Sequence, residues 1–212
     1  MRSRLMNRGR LALVSAALGM ALFMVAPGAR AEPKIGVPSP DFAGVDTAGK
    51  THKLSDLRGK TVVLEWTNHQ CPFVGKHYGT DNMQALQKRA KGDGVVWLSI
   101  ISSAPGLQGY VKPAQADELT KTRGAAPSAV ILDPKGTIGR LYGATTTPHM
   151  FVIDPSGALV YKGAIDDRPT ARHRDVDGAK NYVREALKAL AAGGKINPAA
   201  TRAYGCSVKY GS

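Results

Sequence analysis

The two cysteines, Cys71 and Cys206, are the residues of this 212-residue chain best suited to redox chemistry. Cys71 directly precedes Pro72, and proline is favoured at the first position of a helix. The free N–H groups and the dipole at a helix start favour an anion, so a thiol placed there ionises more readily than free cysteine. The position predicts a reactive thiolate at Cys71, in preference to a small buried core residue.

Cys206 lies near the end of the chain, in a segment that shows no helical or strand period. The stretch from Gly193 to Cys206 can extend to roughly 46 Å, so its length allows Cys206 to reach Cys71. A Cys71–Cys206 pair would act either as a redox-cycling pair or as a permanent staple of the tail, and both interpretations stay open.

A proline turn and several histidines are the next candidates. Thr147-Pro148-His149 stands directly before an apolar run, where a proline indicates a fixed turn of the kind that can hold a cis bond. Cysteine and histidine together could bind copper or zinc, but their spacing here matches no compact ligand signature. We therefore expect no metal and no cofactor, and keep a set of alternative metal ligands: His69, Cys71, His77 and His149.

The N-terminus has the pattern of a secretory signal peptide. Residues 1–10 carry four arginines and no acid, residues 11–25 are mostly apolar, and Ala29-Arg30-Ala31 is a small-x-small site. The apolar run is shorter than the roughly 20 residues that a membrane span needs. We expect residues 1–31 to be cleaved after Ala31, giving a periplasmic or secreted protein. An uncleaved membrane anchor is the alternative.

The charge of the chain argues against nucleic-acid binding. The formal net charge is +13, but residues 1–31 hold five arginines and no acid, which leaves 24 basic against 16 acidic residues in the remainder. This excess is spread along the chain with no basic stripe and no nucleic-acid motif. A hydrophobic fraction of 43% excludes a disordered chain, and two cysteines are too few for a small disulfide scaffold.

Apolar and turn-rich segments alternate through residues 32–192, which we take as one domain. Strands are expected at 61–66, 95–101, 129–132, 149–153 and 158–161, and helices at 73–90, 112–123 and 176–192. This order predicts a mixed α/β architecture with Cys71 beyond the carboxyl end of a central strand. Residues 193–212 form a C-terminal tail that carries Cys206.

Several runs of residues resemble the redoxin domains of the AhpC/TSA (alkyl hydroperoxide reductase/thiol-specific antioxidant) family, in the thioredoxin-fold superfamily. They include IGVPSPDF at 35–42 and TPHMFVID at 147–154, which resembles the cis-proline segment of that fold. The resemblance extends over residues 35–192. It implies a thioredoxin-like fold, with a central mixed sheet flanked by helices, an N-terminal hairpin extension and the C-terminal tail.

The chain departs from both active-site motifs of these relatives. Asn68 and Val74 stand where a second cysteine would complete a Cys-x-x-Cys pair, before or after Cys71. Leu64 and Asn68 occupy the Pro and Thr/Ser positions of the peroxiredoxin motif Pro-x-x-x-Thr/Ser-x-x-Cys. What remains is one cysteine at the active position of the family and a distant cysteine that could resolve it.

The resemblance implies a two-cysteine thiol oxidoreductase. Cys71 would attack a peroxide or a protein disulfide, Cys206 would resolve the intermediate, and an external thiol reductant would restore both thiols. The residues expected to contact substrate are Trp66, Pro72, Thr147 and Pro148, although Trp66 also suits the core. Two alternatives are a copper-binding carrier of thioredoxin fold and a non-catalytic binding module stapled by its disulfide.

Overall fold

A seven-stranded sheet forms the centre of the computed structural model, which describes residues 32–211. The predicted signal peptide lies outside the described residues. The strand order is β2-β1-β5-β4-β3-β7-β8; β3, β4 and β5 run parallel and the outer pairs antiparallel, so the prediction of a mixed sheet is confirmed. The strands are β1 Ala43–Asp46, β2 Thr51–Lys53, β3 Val62–Trp66, β4 Val96–Ile101, β5 Ala129–Leu132, β6 Thr146–Thr147, β7 His149–Ile153, β8 Leu159–Gly163 and β9 Cys206–Ser207.

Five α-helices accompany the sheet among the described residues: α1 Pro72–Tyr78, α2 Asn82–Gly92, α3 Pro113–Thr122, α4 Thr137–Tyr142 and α5 Tyr182–Ala191. The single helix expected at 73–90 is in fact two helices. Asp81 takes a left-handed conformation (φ 57°) between them, which ends the regular backbone. Helix α4 was not predicted, and α5 begins six residues later than expected. Short 3₁₀ turns occur at Leu54–Leu57 and His173–Asp175.

Strand β3 is buried along its whole length because both faces of the sheet are covered. Its alternate side chains divide between two apolar clusters. Leu64 and Trp66 pack with Tyr142 and Phe151 on one face, whereas Val63 packs on the other with residues of α2 and α5. This double cover fixes the carboxyl end of β3, from which the loop to Cys71 departs. None of the helices in residues 32–211 has the length and apolar character to cross a membrane.

The C-terminal tail packs onto the same body as the rest of residues 32–211. Thr201 donates its N–H to the Lys162 carbonyl at 3.0 Å, beside the outer strand β8. Further along, β9 pairs with β6 in a separate two-stranded sheet. The Tyr210 hydroxyl then donates to the Ala144 carbonyl at 2.7 Å. The aperiodic tail therefore crosses the protein as an extended strap, defined here as residues 199–211.

Candidate active site

Cys71 is the N-cap residue of α1, and Pro72 is its first helical residue, as the sequence predicts. The Cys71 backbone is extended (φ −85°, ψ 122°), and its carbonyl accepts the Gly75 N–H at 2.8 Å, the first bond of the helix. The residue is 1% exposed. Helix start and burial thus hold one thiol at the carboxyl end of the central strand.

The proline turn lies directly against this thiol. The Thr147–Pro148 peptide bond is cis, and both residues are buried. Cys71 Sγ donates to the Thr147 carbonyl oxygen at 3.1 Å. Among the described residues, none gives the buried Thr147 hydroxyl a hydrogen-bond partner, which leaves that O–H free to donate to a thiolate. The turn therefore offers Cys71 one acceptor for its thiol form and one donor for its ionised form.

The tail brings the second cysteine to the same place. Strand β9 runs antiparallel to β6, with Cys206 opposite Thr147 and Ser207 opposite Thr146. The ladder continues through the Val208 N–H, which donates to the Thr145 carbonyl at 3.0 Å. Cys206 is partly exposed, whereas Cys71 is not, and both are free thiols. The two cysteines are 135 positions apart in the sequence, and both contact Thr147 of the short strand β6.

Gly205 permits this close approach of the tail. Its φ of 138° lies in the region that favours glycine, and a Cβ built there would stand 2.0 Å from the Thr147 carbonyl oxygen. Any side chain at this position would therefore push the tail away from the turn. The glycine that directly precedes Cys206 is a requirement of the strand pairing.

The surroundings of Cys71 favour its thiolate. Burial opposes ionisation, but the Cys206 thiol, the Thr147 side chain and the backbone N–H groups of Val74 and Cys206 outweigh it, so the pKa of the Cys71 thiol is lowered. The pKa of Cys206 is raised, first by burial and then by the neighbouring Cys71. The same surroundings therefore favour the anion at Cys71 and the protonated thiol at Cys206.

The four predicted substrate contacts lie in different environments. Pro72 is exposed beside the turn, and remains a candidate contact. Trp66 is fully buried, packs on Tyr142 and Phe151, and donates its indole N–H to Ser102 at 3.1 Å. This placement agrees with the core role that the sequence also suggested for Trp66, and it gives no support to a substrate contact there. Thr147 and Pro148 line the thiol, but the tail covers them.

The alternative metal ligands do not converge. His77 pairs through Nδ1 with Asn82 at 2.8 Å, and His149 stacks on Phe151 with ring centroids 4.5 Å apart. Across residues 32–211, no three His, Cys, Asp or Glu side chains gather in a way that could hold a metal ion. Burial lowers the pKa of both His77 and His149 to about 4. These two histidines pack in the interior, and the alternative set of four ligands is not brought together among residues 32–211.

A buried polar cluster next to the site was missed from sequence. Lys76 of α1 is fully buried, and its ammonium lies 3.1 Å from Asp166 Oδ2 and 3.2 Å from the Tyr204 hydroxyl of the tail. Tyr204 in turn donates to Asp166. The sequence did carry a signal for this cluster. Lys76 stands in a helix of mostly apolar and aromatic residues, and a lysine that is buried in such a helix requires a partner.

Glu65 is a second buried charge, and it faces away from the thiols. Its carboxylate accepts from the Trp97 indole at 2.8 Å, the Ser99 hydroxyl at 2.9 Å and the Tyr78 hydroxyl at 2.9 Å. Gln87 adds a further donor at 3.2 Å. With four donors the carboxylate is fully satisfied, so Glu65 joins β3, β4, α1 and α2 as a structural element and contacts neither cysteine.

The comparisons with known proteins agree with this architecture. A sequence model described as the AhpC/TSA family matches residues 35–162. Thiol-disulfide oxidoreductase ResA of Bacillus cereus is 26% identical over 150 residues, covering 71% of this chain and 81% of the relative. ResA of Bacillus subtilis is 24% identical over 152 residues, covering 72% of this chain and 79% of the relative.

Two solved structures share the fold. A hypothetical protein from Sinorhizobium meliloti superposes with a TM-score of 0.73 at 21% identity, covering 86% of this chain and 97% of that chain. A conserved protein from Geobacillus kaustophilus gives a TM-score of 0.73 at 23% identity, covering 84% of this chain and 93% of that chain. At these identities the likeness shows the thioredoxin-like fold.

Proposed function

The chain belongs to the AhpC/TSA family, and we propose that it is a thiol-disulfide oxidoreductase in which Cys71 is the nucleophile and Cys206 the resolving cysteine. One observation carries this proposal: the β6–β9 pairing sets Cys206 opposite Thr147, whose carbonyl is the hydrogen-bond acceptor of Cys71. The relatives named thiol-disulfide oxidoreductase support a disulfide as the substrate. The match covers 81% of the first relative and 79% of the second.

The first half of the cycle uses Cys71 alone. Its thiolate attacks one sulfur of a substrate disulfide, a Cys71–substrate S–S bond forms, and the original S–S bond breaks. The leaving sulfur departs as a thiolate and takes up a proton. The lowered pKa of Cys71 supplies the attacking anion, and the buried Thr147 hydroxyl is placed to donate to it.

The second half uses the tail. Cys206 transfers its proton to the departing group or to water, and its thiolate attacks the Cys71 sulfur of the mixed disulfide. A Cys71–Cys206 disulfide forms and the second substrate thiol leaves. The substrate has then gained two electrons, and the protein has lost two. An external thiol reductant returns them, and the same steps in reverse oxidise a dithiol partner.

Substrate access requires the strap to move. Cys71 is 1% exposed, and β9 occupies the free edge of β6. A groove of about 550 Å³ lies beside the strap and is lined by Thr146, Asp167 and Tyr204 among others. An incoming disulfide would approach through this groove and displace residues 205–207 before meeting the Cys71 sulfur.

We propose that the protein is exported, because the first 31 residues have the basic, apolar and small-x-small order of a signal peptide. Export would place the pair where disulfide exchange is the ordinary chemistry of thiols. Intact mass and N-terminal sequencing of protein recovered from a periplasmic extract test this. A mature N-terminus at Glu32 is expected, and recovery of the protein with an N-terminus at Met1 in the cytoplasmic fraction would contradict export.

Trapping of the mixed disulfide tests the catalytic proposal. Cys206→Ser treated with a peptide containing one disulfide should accumulate a stable adduct on Cys71, located by peptide mass mapping without reductant. The wild-type protein should pass through to a Cys71–Cys206 link and release two peptide thiols. Cys71→Ser should form no adduct at residue 71 and should lose turnover.

Two results would overturn the proposal. One is a Cys71→Ser variant that still reduces the peptide disulfide at the wild-type rate. The other is a wild-type protein that consumes hydrogen peroxide rapidly but leaves the peptide disulfide intact, since a peroxidase would then be the better assignment. The same samples, treated with peroxide in place of the peptide, give that comparison.

A further inference from the structure

We propose that Tyr204 is the positioning residue for Cys206, because its hydroxyl completes the hydrogen-bonding shell of the buried Lys76 ammonium on the helix that begins at Cys71. The inference rests on the proposed function, since it concerns how the resolving cysteine is held. It assigns a role to a polar cluster that takes no part in the exchange chemistry itself.

The ammonium of Lys76 is the centre of the cluster. An ammonium has three N–H donors, and a buried one is costly unless all are satisfied. Lys76 Nζ donates to the Arg168 carbonyl oxygen at 2.7 Å, to Asp166 Oδ1 at 3.4 Å and to the Tyr204 hydroxyl at 3.2 Å. Two acceptors come from the body of the protein and the third from the tail. The ammonium therefore has three acceptors only when the tail is docked.

Tyr204 is held at several points. Its hydroxyl accepts from Lys76 and donates to Asp166, so the same oxygen links both members of the buried ion pair. Its ring packs edge-on against Phe73, with centroids 5.9 Å apart. Burial and the Asp166 hydrogen bond raise the pKa of Tyr204, which keeps the hydroxyl protonated as a donor. The contacts of the ring and of the hydroxyl together fix the position of Tyr204, which we call its seat.

The seat is tied to both cysteines. Phe73 and Lys76 lie three residues apart on one face of α1, whose N-cap is Cys71. Tyr204 precedes Cys206 by two residues, and Gly205 between them lies against the Thr147 carbonyl. Anchoring Tyr204 on α1 thus sets the distance along the tail at which Cys206 meets Thr147. A tail released at Tyr204 would still be attached to β8 but free to slip.

The equilibrium between the protein thiols and glutathione measures this positioning. Two glutathione thiols are oxidised for each protein disulfide reduced. The squared concentration of reduced glutathione divided by the concentration of oxidised glutathione, taken where half the protein carries the Cys71–Cys206 disulfide, therefore gives the effective concentration of one thiol at the other. Tyr204→Phe keeps the ring and removes the hydroxyl. We expect its effective concentration to fall about tenfold, the size of one lost hydrogen bond to a charged group.

Tyr210→Phe is the matched control. It also removes one hydroxyl from a tail tyrosine, in this case the donor to the Ala144 carbonyl, but it lies beyond Cys206 and away from Lys76. We expect its effective concentration to stay within about twofold of wild type. The melting temperature of each reduced variant gives its structural loss separately, so that a change in effective concentration can be compared with the loss of stability in the same protein.

A second variant keeps the test decisive. Asp166→Asn should lower the effective concentration as Tyr204→Phe does, and the double variant should fall no further than the larger single effect, because both changes break one network. Equal values for Tyr204→Phe and Tyr210→Phe would overturn the positioning role. A wild-type protein that forms no Cys71–Cys206 disulfide at any glutathione ratio would instead overturn the proposed function.

Discussion

Cys206 lies opposite Thr147 in the antiparallel ladder of β6 and β9, and the Thr147 carbonyl oxygen is also the acceptor of the Cys71 S–H. One residue of the proline turn therefore contacts both redox candidates. The tail pairs with the edge of β6 at the same residue that the Cys71 thiol contacts. The reactivity of Cys71 and the position of the tail are consequently linked.

The first prediction concerns ionisation. Cys71 should titrate with a pKa below that of free cysteine, and Cys206 with a pKa above it, as followed by the ultraviolet absorbance of the thiolate. Cys206→Ala and Thr147→Val should each raise the pKa of Cys71, because each removes a group that stabilises its anion. Thr147→Ser keeps the hydroxyl and is the control. An unchanged titration in Thr147→Val would contradict the role given to that hydroxyl.

The second prediction concerns the seat of the tail. Gly205→Ala places a Cβ against the Thr147 carbonyl and forces a strained φ, which costs about 1–3 kcal/mol. Release of the tail should become more frequent, and alkylation of Cys71 by iodoacetamide should accelerate at least about tenfold. Gly194→Ala is the control, since its Cβ would meet only ordinary contact at 3.5 Å. Equal alkylation rates in the two variants would count against the described approach of Gly205.

The third prediction concerns the buried carboxylate of Glu65. Glu65→Gln puts an amide N–H₂ among side chains that donate, and should lower the free energy of unfolding by about 3 kcal/mol. Urea unfolding measures the loss. Glu118→Gln, at an exposed position of α3, should change stability by less than about 0.5 kcal/mol. The Cys71 pKa should stay the same in both, because neither residue contacts the thiols; a shift in Glu65→Gln would contradict this.

The fourth prediction concerns acid stability. Burial lowers the pKa of His77 and His149 to about 4, whereas unfolded histidine titrates near 6.5. The unfolded chain therefore binds more protons in this window, so stability is lost as the pH falls from about 6.5 toward 4. Each histidine should contribute a loss on the order of 3 kcal/mol. His149→Gln should show a shallower decline in urea titrations across this range; a decline parallel to wild type would contradict the assignment.

Local signals predicted the backbone at the Cys71 end of the site. Proline after Cys71 predicted the helix start, and Pro148 before an apolar run predicted the turn, because each signal depends on backbone rules within a few residues. The break between α1 and α2 was harder to see. Apolar residues continue at helical spacing across it, while Asp81 adopts a conformation that few non-glycine residues take.

The tail side of the site could not be predicted in the same way. Its position depends on contacts between residues far apart in sequence, such as Tyr204 with Lys76, 128 positions away. A two-residue strand carries no period, so β6 and β9 leave no pattern to detect. The histidines illustrate the converse error, since a set of plausible ligand types says nothing of where the fold places them.

The occupied edge of β6 has a consequence for any molecule that seeks Cys71. Thr146 and Thr147 offer one free set of backbone groups, and the chain's own terminus already holds them. A ligand must compete with the chain's own tail, which is covalently attached and therefore always nearby. The apparent affinity of the ligand is its intrinsic affinity multiplied by the fraction of time that the tail leaves the edge of β6 empty. Partners that bind there will be those that bring further contacts of their own, and small thiols will be poor competitors.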